Sequence, residues 1–262
     1  MAGEDRGGGI RPGIRRKMTP LYRILNNSDY LLEIADARYP DWSRHRKLEQ
    51  QISGQGKGLT IIFNKSDLVD SEELKRLEYR FKDAIFVSAR TRQGFSQLRR
   101  FIRSLSKKKE ITIGVFGYPN TGKSSIINML KGSHSAGTSS RAGFTKGVQK
   151  LRINPKVMMW DSPGVAPFKE SESRLALLGA KNPEFLKNVE NVAQVIIGTI
   201  KKEYPGAISR RYNLDESKKP EEILEGVARR IGALSKGGIP DIERAARAVI
   251  NDWQKDRLKQ VN

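Results

Sequence analysis

The chain has 262 residues, the length of one large domain or two small ones. It contains no cysteine and two histidines, His45 and His134, which excludes a disulfide scaffold and a thiol nucleophile and argues against a histidine-rich zinc site. Its 49 lysines and arginines outnumber its 29 acidic residues, giving a formal charge of +20, so we expect a polyanionic partner.

The first two thirds of the chain alternate between strand and helix patterns. Residues 1–17 are rich in glycine and arginine, which is typical of a flexible basic arm. Short apolar runs predict strands over Tyr30–Ala35, Gly58–Phe63, Ala84–Val87, Ile111–Phe116, Val148–Ile153 and Val157–Trp160. Helical spacing of apolar residues covers Glu72–Lys82, Gly94–Ser106 and Ser124–Leu130. This alternation predicts an α/β fold with a doubly wound, parallel sheet.

After Gly164 the pattern becomes helical. Helices are predicted over Glu184–Lys201, Glu221–Leu234 and Ile242–Leu258, with Pro220 and Pro240 in the first turns of the last two. In the second of these helices the residues expected to be buried are Ile223, Leu224, Val227 and Ile231. We therefore expect an α/β domain over residues 18–168 and a small all-helical C-terminal domain over residues 169–262.

A phosphate-binding loop is predicted at residues 117–124. The segment GYPNTGKS matches GxxxxGK[ST] and lies between a predicted strand and a predicted helix, as that motif requires. Backbone N–H groups of such a loop, together with the helix N-terminus, bind phosphate oxygens. We expect Lys123 to reach the β- and γ-phosphates and the Ser124 hydroxyl to ligate Mg²⁺. The nucleotide-binding residues assigned to this loop are Asn120, Thr121, Gly122, Lys123, Ser124 and Ser125.

Two other segments point to guanine as the base. Asn64, Lys65 and Asp67 belong to an NKxD pattern that directly follows a predicted strand, at the sheet edge where ligands bind. The Asp67 carboxylate can accept both N1–H and the exocyclic amine of guanine, whereas adenine offers no such pair of donors. A second strand end carries Ser88, Ala89 and Arg90, which we expect to pack over the base.

The remaining predicted site residues surround the γ-phosphate. Asp161 opens the segment DSPG and is expected to hold Mg²⁺ through water, while the Gly164 N–H meets the γ-phosphate. Thr145 lies between the phosphate loop and DSPG, so it is the candidate for a second Mg²⁺-ligating hydroxyl. Lys123, Thr145 and Gly164 form the predicted catalytic set.

The order of these motifs resembles one family. In ordinary GTPases the phosphate loop precedes NKxD, whereas here the order is NKSD, SAR, GYPNTGKS, GFTKG and DSPG. Residues 20–262 resemble the circularly permuted GTPases of ribosome assembly, of the bacterial ribosome biogenesis GTPase A type and its archaeal and nucleolar relatives. The resemblance includes Asp36-Ala37-Arg38 and the stretch Ala233–Pro240. It implies a GTP- and GDP-binding, GTP-hydrolysing switch that acts on the precursor of the large ribosomal subunit.

The group that activates the attacking water is missing from its usual place. Many GTPases carry glutamine directly after DxxG, but here that position is Val165. Some bacterial family members are thought to use a histidine in a Pro-Gly-His segment, whereas Pro12-Gly13 is followed by Ile14. We therefore expect slow hydrolysis unless a partner or an ion supplies the group. Asn120 either coordinates K⁺ near the phosphates or shapes the turn.

The positive charge is concentrated near the nucleotide motifs. Residues 88–160 contain fifteen basic side chains and one acid, whereas residues 165–262 contain 18 basic and 14 acidic ones. We expect contacts to rRNA phosphates from Arg99, Arg100, Arg103, Lys107, Lys108 and Lys109.

Two alternatives to a role in large-subunit assembly stay open. They are a GTPase that acts in translation or on tRNA, and a non-hydrolysing RNA-binding scaffold that uses GTP structurally.

Membrane association through the basic arm is the weakest alternative, because no amphipathic basic helix with a large apolar face accompanies the arm. No apolar run approaches the ~20 residues of a membrane-spanning helix, and no apolar stretch follows the polar N-terminus. We therefore expect a soluble, cytoplasmic monomer with no membrane partner.

Overall fold

The structure is a computed structural model that describes residues 20–107, 109–132, 149–161 and 170–258. Several sequence predictions lie outside these ranges: the basic arm over 1–17, His134, Thr145, Gly164, Val165 and Lys108. Within the described ranges, no helix is both long enough and apolar enough to cross a membrane.

A six-stranded sheet organises the first part of the chain, with strand order β3-β2-β1-β4-β6-β5. The strands are β1 Tyr30–Asp36, β2 Gly58–Asn64, β3 Ile85–Phe86, β4 Ile111–Phe116, β5 Gln149–Asn154 and β6 Val157–Asp161. The first four and β6 run parallel to their neighbours, as predicted. The predicted parallel sheet has one antiparallel edge, because the turn at Asn154-Pro155, itself expected from the sequence, reverses the chain between β5 and β6.

The central strands are buried on both faces. All six residues from Leu31 to Asp36 are buried, and Leu32 and Ile34 contact one apolar cluster while Leu31 and Ala35 contact two others. A strand covered on both sides has a near-continuous apolar sequence, which is why it could be predicted. The strand order changes direction between β1 and β4, so their carboxyl ends form the crevice where α/β proteins bind ligands.

Ten α-helices lie within the described ranges. They are α1 Pro20–Asn26, α2 Arg46–Gly54, α3 Ser71–Arg80, α4 Phe95–Leu105, α5 Lys123–Lys131, α6 Glu172–Leu177, α7 Val189–Glu203, α8 Ala207–Tyr212, α9 Pro220–Arg230 and α10 Ile242–Gln254. Helices α1, α2, α6 and α8 are not predicted from the sequence. Each is short, so it offers few apolar positions in which a period can be recognised.

The C-terminal helices differ in detail from the prediction. The segment predicted as one helix from Glu184 is a 3₁₀ turn over Pro183–Phe185 followed by α7, which Asn188 caps. Pro220 occupies the first turn of α9, but Pro240 precedes α10, whose cap is Asp241. Ile231 was expected to be buried, yet it lies just past the end of α9 and is 41% exposed.

The helices α6–α10 share a large apolar core, which includes Ile196, Ile197, Val227, Val249 and Trp253. The same core contains Tyr39, which follows β1, and Tyr118, which follows β4. The Tyr39 and Trp253 rings lie 5.6 Å apart, centroid to centroid. The helical region is therefore packed against the two loops that end the central strands.

Candidate nucleotide-binding site

The loop after β4, which is predicted to bind phosphate, is shaped by two glycines. Gly117 and Gly122 have φ angles of 147° and 94°, which disfavour any residue with a side chain. Space excludes a side chain as well, since a Cβ on Gly117 would lie 2.2 Å from the Ile34 carbonyl oxygen and one on Gly122 would lie 2.1 Å from Asn64 Nδ2. Helix α5 starts directly afterwards, so its N-terminus points at this loop.

Lys123 begins α5 and is buried, with 6% of its surface exposed. Its ammonium group donates a hydrogen bond to the Tyr118 carbonyl at 2.7 Å, which folds the side chain back over the loop. Burial lowers the pKa of Lys123 to about 8; the Lys65 charge acts in the same direction and Asp161 opposes it. An anionic phosphate at this position would favour the charged form of Lys123.

Ser124 and Asp161 meet at the edge of the same loop. The Ser124 hydroxyl donates to Asp161 Oδ2 at 3.0 Å, because β6 lies next to β4 and places its last residue beside the start of α5. A hydroxyl and a carboxylate are oxygen ligands of the kind that Mg²⁺ prefers, with phosphate oxygens and water completing its coordination. The two residues predicted to hold Mg²⁺ that the structure describes are thus brought together and fit that ion.

Asn64 links the three nucleotide loops. Its side-chain amide donates to the Thr121 carbonyl at 2.8 Å, and its side-chain carbonyl accepts from the Ala89 N–H at 3.1 Å. Asn64 is 3% exposed, so both hydrogen bonds are shielded from water. Direct contact between Asn64 and nucleotide stays a prediction; what the structure shows is that Asn64 joins the loops that end β2, β3 and β4.

Asp67 and Arg90 form the outer part of the predicted base site. Arg90 Nε lies 2.9 Å from Asp67 Oδ2, with 9% of the aspartate side chain exposed and 74% of the arginine side chain exposed. A carboxylate oxygen accepts more than one hydrogen bond, so this ion pair leaves capacity for the donors of guanine. Ser88 is fully buried, and its hydroxyl accepts a hydrogen bond from the Thr91 N–H, which shapes the loop that carries Arg90.

Lys65 has an unexpected partner. It adopts a left-handed backbone with φ 65°, and its ammonium group lies 2.7 Å from Asp36 Oδ2, at the end of β1. The sequence alone indicates no role for Asp36. The strand register could have indicated one, because Asp36 pairs with Asn64 across β1 and β2.

Asn120 in the phosphate loop contacts the helical region. It has a positive φ of 64°, and its side-chain amide donates a hydrogen bond to the carbonyl of Gly179, just after α6. This long-range contact has no signature in the sequence. Coordination of K⁺ by Asn120 stays a prediction.

The predicted RNA-binding side chains are at the surface. Arg99, Arg100 and Arg103 lie on the exposed side of α4, while Leu98 and Ile102 face the core. Lys107 and Lys109 follow this helix and are exposed. Arg99 also donates to the Met129 carbonyl at 2.7 Å, which holds it near α5.

Comparisons with known proteins bear on the family of this chain. A family model described as "50S ribosome-binding GTPase" matches residues 112–227, from β4 into the helical region. An uncharacterized GTP-binding protein of Methanocaldococcus jannaschii is 36% identical over 253 residues, which cover 94% of this chain and 68% of that protein. The chain belongs to the circularly permuted GTPase family. The NKSD segment of this GTPase lies upstream of the matched family region, as the permuted order requires.

Eukaryotic relatives of this permuted GTPase are longer. Nucleolar GTP-binding protein 2 of Neurospora crassa is 32% identical over 255 residues, covering 93% of this chain but 41% of that protein. A guanine nucleotide-binding protein-like 3 homolog of Caenorhabditis elegans is 29% identical, and the chain covers 50% of it. This GTPase thus spans about half, or less, of those relatives.

Two solved structures share its architecture over most of its length. GDP-bound TM YlqF is 26% identical with a TM-score of 0.60, covering 90% of this chain and 93% of that one. GNP-bound YlqF from T. maritima is also 26% identical, with a TM-score of 0.58 and coverage of 92% and 93%.

Proposed function

We propose that this GTPase binds and hydrolyses GTP as a switch that binds rRNA in the precursor of the large ribosomal subunit and promotes its assembly. The observation that carries the proposal is the pair of buried hydrogen bonds made by the Asn64 side chain. They join the base loop (residues 64–67, NKSD), the SAR loop (residues 88–90) and the phosphate loop (residues 117–124). The description of the matched family and the nucleolar names of relatives support the ribosomal part.

The site residues divide the tasks of nucleotide binding among them. The backbone N–H groups of the loop at 117–124 and Lys123 hold the phosphates, and Asp67 accepts hydrogen bonds from guanine. Ser124 and Asp161 would hold Mg²⁺, which offsets charge on the phosphates when bound. Thr145 and Gly164 are proposed to complete the γ-phosphate site.

Hydrolysis is proposed to be slow in the isolated protein. The residue after DSPG is Val165, which cannot hydrogen-bond to the attacking water. The missing group would come from the ribosomal particle, or its effect from K⁺ held near Asn120. Added positive charge near the phosphates stabilises the transition state of phosphoryl transfer.

The rRNA contact is proposed to be made by the exposed cations on and after α4. Arg99, Arg100 and Arg103 project from one side of a rigid helix, so they can meet successive phosphates without reading sequence. The GTPase body itself would then lie against RNA.

Nucleotide turnover with and without ribosomal particles tests the proposal. We expect measurable GTP binding, slow turnover alone and faster turnover with large subunits. Unchanged turnover with large subunits would favour a non-hydrolysing RNA-binding scaffold. Stimulation by tRNA or small subunits instead would favour a role in translation. Equal turnover in KCl and NaCl would remove the K⁺ component.

A further inference from the structure

Four charged residues form a continuous chain from the base loop to the last helix. Asp36 Oδ2 lies 2.7 Å from the Lys65 ammonium group and 2.6 Å from Arg38 Nη2. Arg38 Nη1 donates a hydrogen bond to Asp256 Oδ2 at 2.5 Å, although 218 positions separate the two residues in the sequence. Asp256 follows α10, so the NKSD loop is linked through two side chains to the end of the helical region.

This charged chain of four side chains is shielded from water along most of its length. The side chains of Asp36 and Arg38 are 3% and 11% exposed, and that of Asp256 is 33% exposed. Burial alone would raise the pKa of Asp36, but hydrogen bonds and charge from Arg38 and Lys65 hold that pKa well below its usual range. Among the described residues this set holds two cations and two carboxylates, so the loss of one carboxylate leaves the cations with fewer partners.

A second contact joins the same two regions. The Asn120 amide of the phosphate loop donates to the Gly179 carbonyl. Between this contact and the charged chain lies a cavity of about 240 Å³, whose walls include Lys65 and Asn120 on one side and Gly179, Asn251 and Gln254 on the other. The helical region therefore meets the nucleotide site at both the base loop and the phosphate loop.

Hydrogen bonds tie the contacting parts of the helical region to one another. The Trp253 indole donates to the Leu177 carbonyl at 2.9 Å, and the Gln254 amide donates to the Ala176 and Lys181 carbonyls at 2.8 Å and 3.0 Å. These bonds fix the end of α10 to the segment that carries Gly179. Displacement of one contact would therefore disturb the other.

We propose that Asp36 and Arg38 are positioning residues for guanine nucleotide binding, and that they couple it to docking of the helical region. Asp36 holds Lys65 in its left-handed conformation, and Arg38 makes that hold depend on Asp256. When Asp256 is lost, Arg38 competes with Lys65 for the oxygen that they share. This inference rests on the proposed role of the NKSD loop in guanine binding.

Coupling of this kind is reciprocal. If docking of the helical region strengthens guanine nucleotide binding, then nucleotide must strengthen docking by the same factor. Coupling between two sites in proteins is typically about fivefold or more in affinity.

The test compares GDP affinity and hydrogen exchange in five proteins, each with all 262 residues. They are the wild type, Asp256→Asn, Asp256→Glu, Asp36→Asn and the matched control Glu243→Gln, which removes a different ion pair, with Arg247, at the opposite end of α10. We expect GDP to bind about fivefold or more weakly to D256N, and near wild-type affinity in D256E and E243Q. Asp36→Asn should show a larger loss, and D256N covers the case in which D36N fails to fold.

Exchange of the amides over residues 250–256 separates coupling from simple destabilisation. Saturating GDP should slow their exchange in the wild type and E243Q, and much less in D256N. Unchanged GDP affinity in D256N, or no effect of GDP on α10 exchange in the wild type, would overturn the inference. Failure of the wild type to bind GDP would instead overturn the proposed function.

Discussion

The Asn64 side chain donates to the Thr121 backbone carbonyl at 2.8 Å, although 57 positions separate the two residues. The contact exists because both residues end or follow parallel strands that lie near one another in the sheet. The carboxyl ends of such strands meet at one edge whatever the order in which the chain visits them. A permuted motif order is therefore compatible with a compact nucleotide site.

Replacing Asn64 by alanine should weaken GDP binding without unfolding the protein. The change removes two buried hydrogen bonds between the nucleotide loops, which are worth about 1 kcal/mol each in net terms. We expect about 10- to 30-fold weaker affinity by titration with a fluorescent GDP analogue. Asn27→Ala, which removes an exposed side-chain hydrogen bond from α1, is the control and should bind normally.

Replacing Asp67 by asparagine should change the preferred base. Guanine carries an exocyclic amine that donates a hydrogen bond to the Asp67 carboxylate. Xanthine has a carbonyl at the same position, which can accept a hydrogen bond from the amide of an asparagine. We expect D67N to lose about 100-fold or more in GDP affinity and to prefer xanthosine diphosphate. Competition between the two nucleotides measures this. An equal loss for both bases would mean that Asp67 acts on the fold, not on the base.

GDP affinity should fall as the pH rises through 8. Burial lowers the pKa of Lys123 to about 8, so above that pH the nucleotide-free protein must take up a proton before Lys123 can pair with phosphate. We expect binding to be about fourfold weaker at pH 8.5 than at pH 7. Lys123→Arg stays charged over this range, so its affinity, whatever its level, should not follow the same curve. Parallel curves for the two proteins would assign the effect to another group.

The basic side of α4 should carry a measurable part of RNA binding. If six to eight phosphates are neutralised, affinity for purified large-subunit rRNA should fall roughly 10³-fold between 50 and 200 mM salt. Replacing Arg100 and Arg103 by glutamine should lower the slope of log affinity against log salt by about two. As a matched control, replacing Arg229 and Arg230, which are exposed on α9, by glutamine should leave this slope unchanged. The reverse pattern would place RNA on the helical region.

The strands and motif loops could be predicted closely from the sequence. The buried run Tyr30–Ala35 and the glycine pattern of 117–124 are local signals, and the observed strand and loop fall within one residue of them. The contacts between Lys65 and Asp36, Arg38 and Asp256, and Asn120 and Gly179 could not be predicted. They join segments that are distant in sequence, and no spacing rule relates a charged side chain to a partner across the fold.

Short helices and the exact ends of helices also could not be predicted from the sequence. The helix at Arg46–Gly54 buries just Leu48 and Ile52, too few positions to establish a period. Ile231 has the correct spacing for the apolar side of α9, but the helix ends one residue before it. Periodicity therefore predicts that a helix exists more reliably than it predicts where the helix stops.

Co-sedimentation with purified large ribosomal subunits through a gradient tests the central proposal most directly. The protein is applied with a non-hydrolysable GTP analogue, with GDP or without nucleotide, and small subunits serve as the control. We predict that the protein travels with large subunits under the GTP analogue and is released under GDP. Equal distribution in all three nucleotide states, or binding to small subunits alone, would contradict a GTP-controlled role on the large subunit.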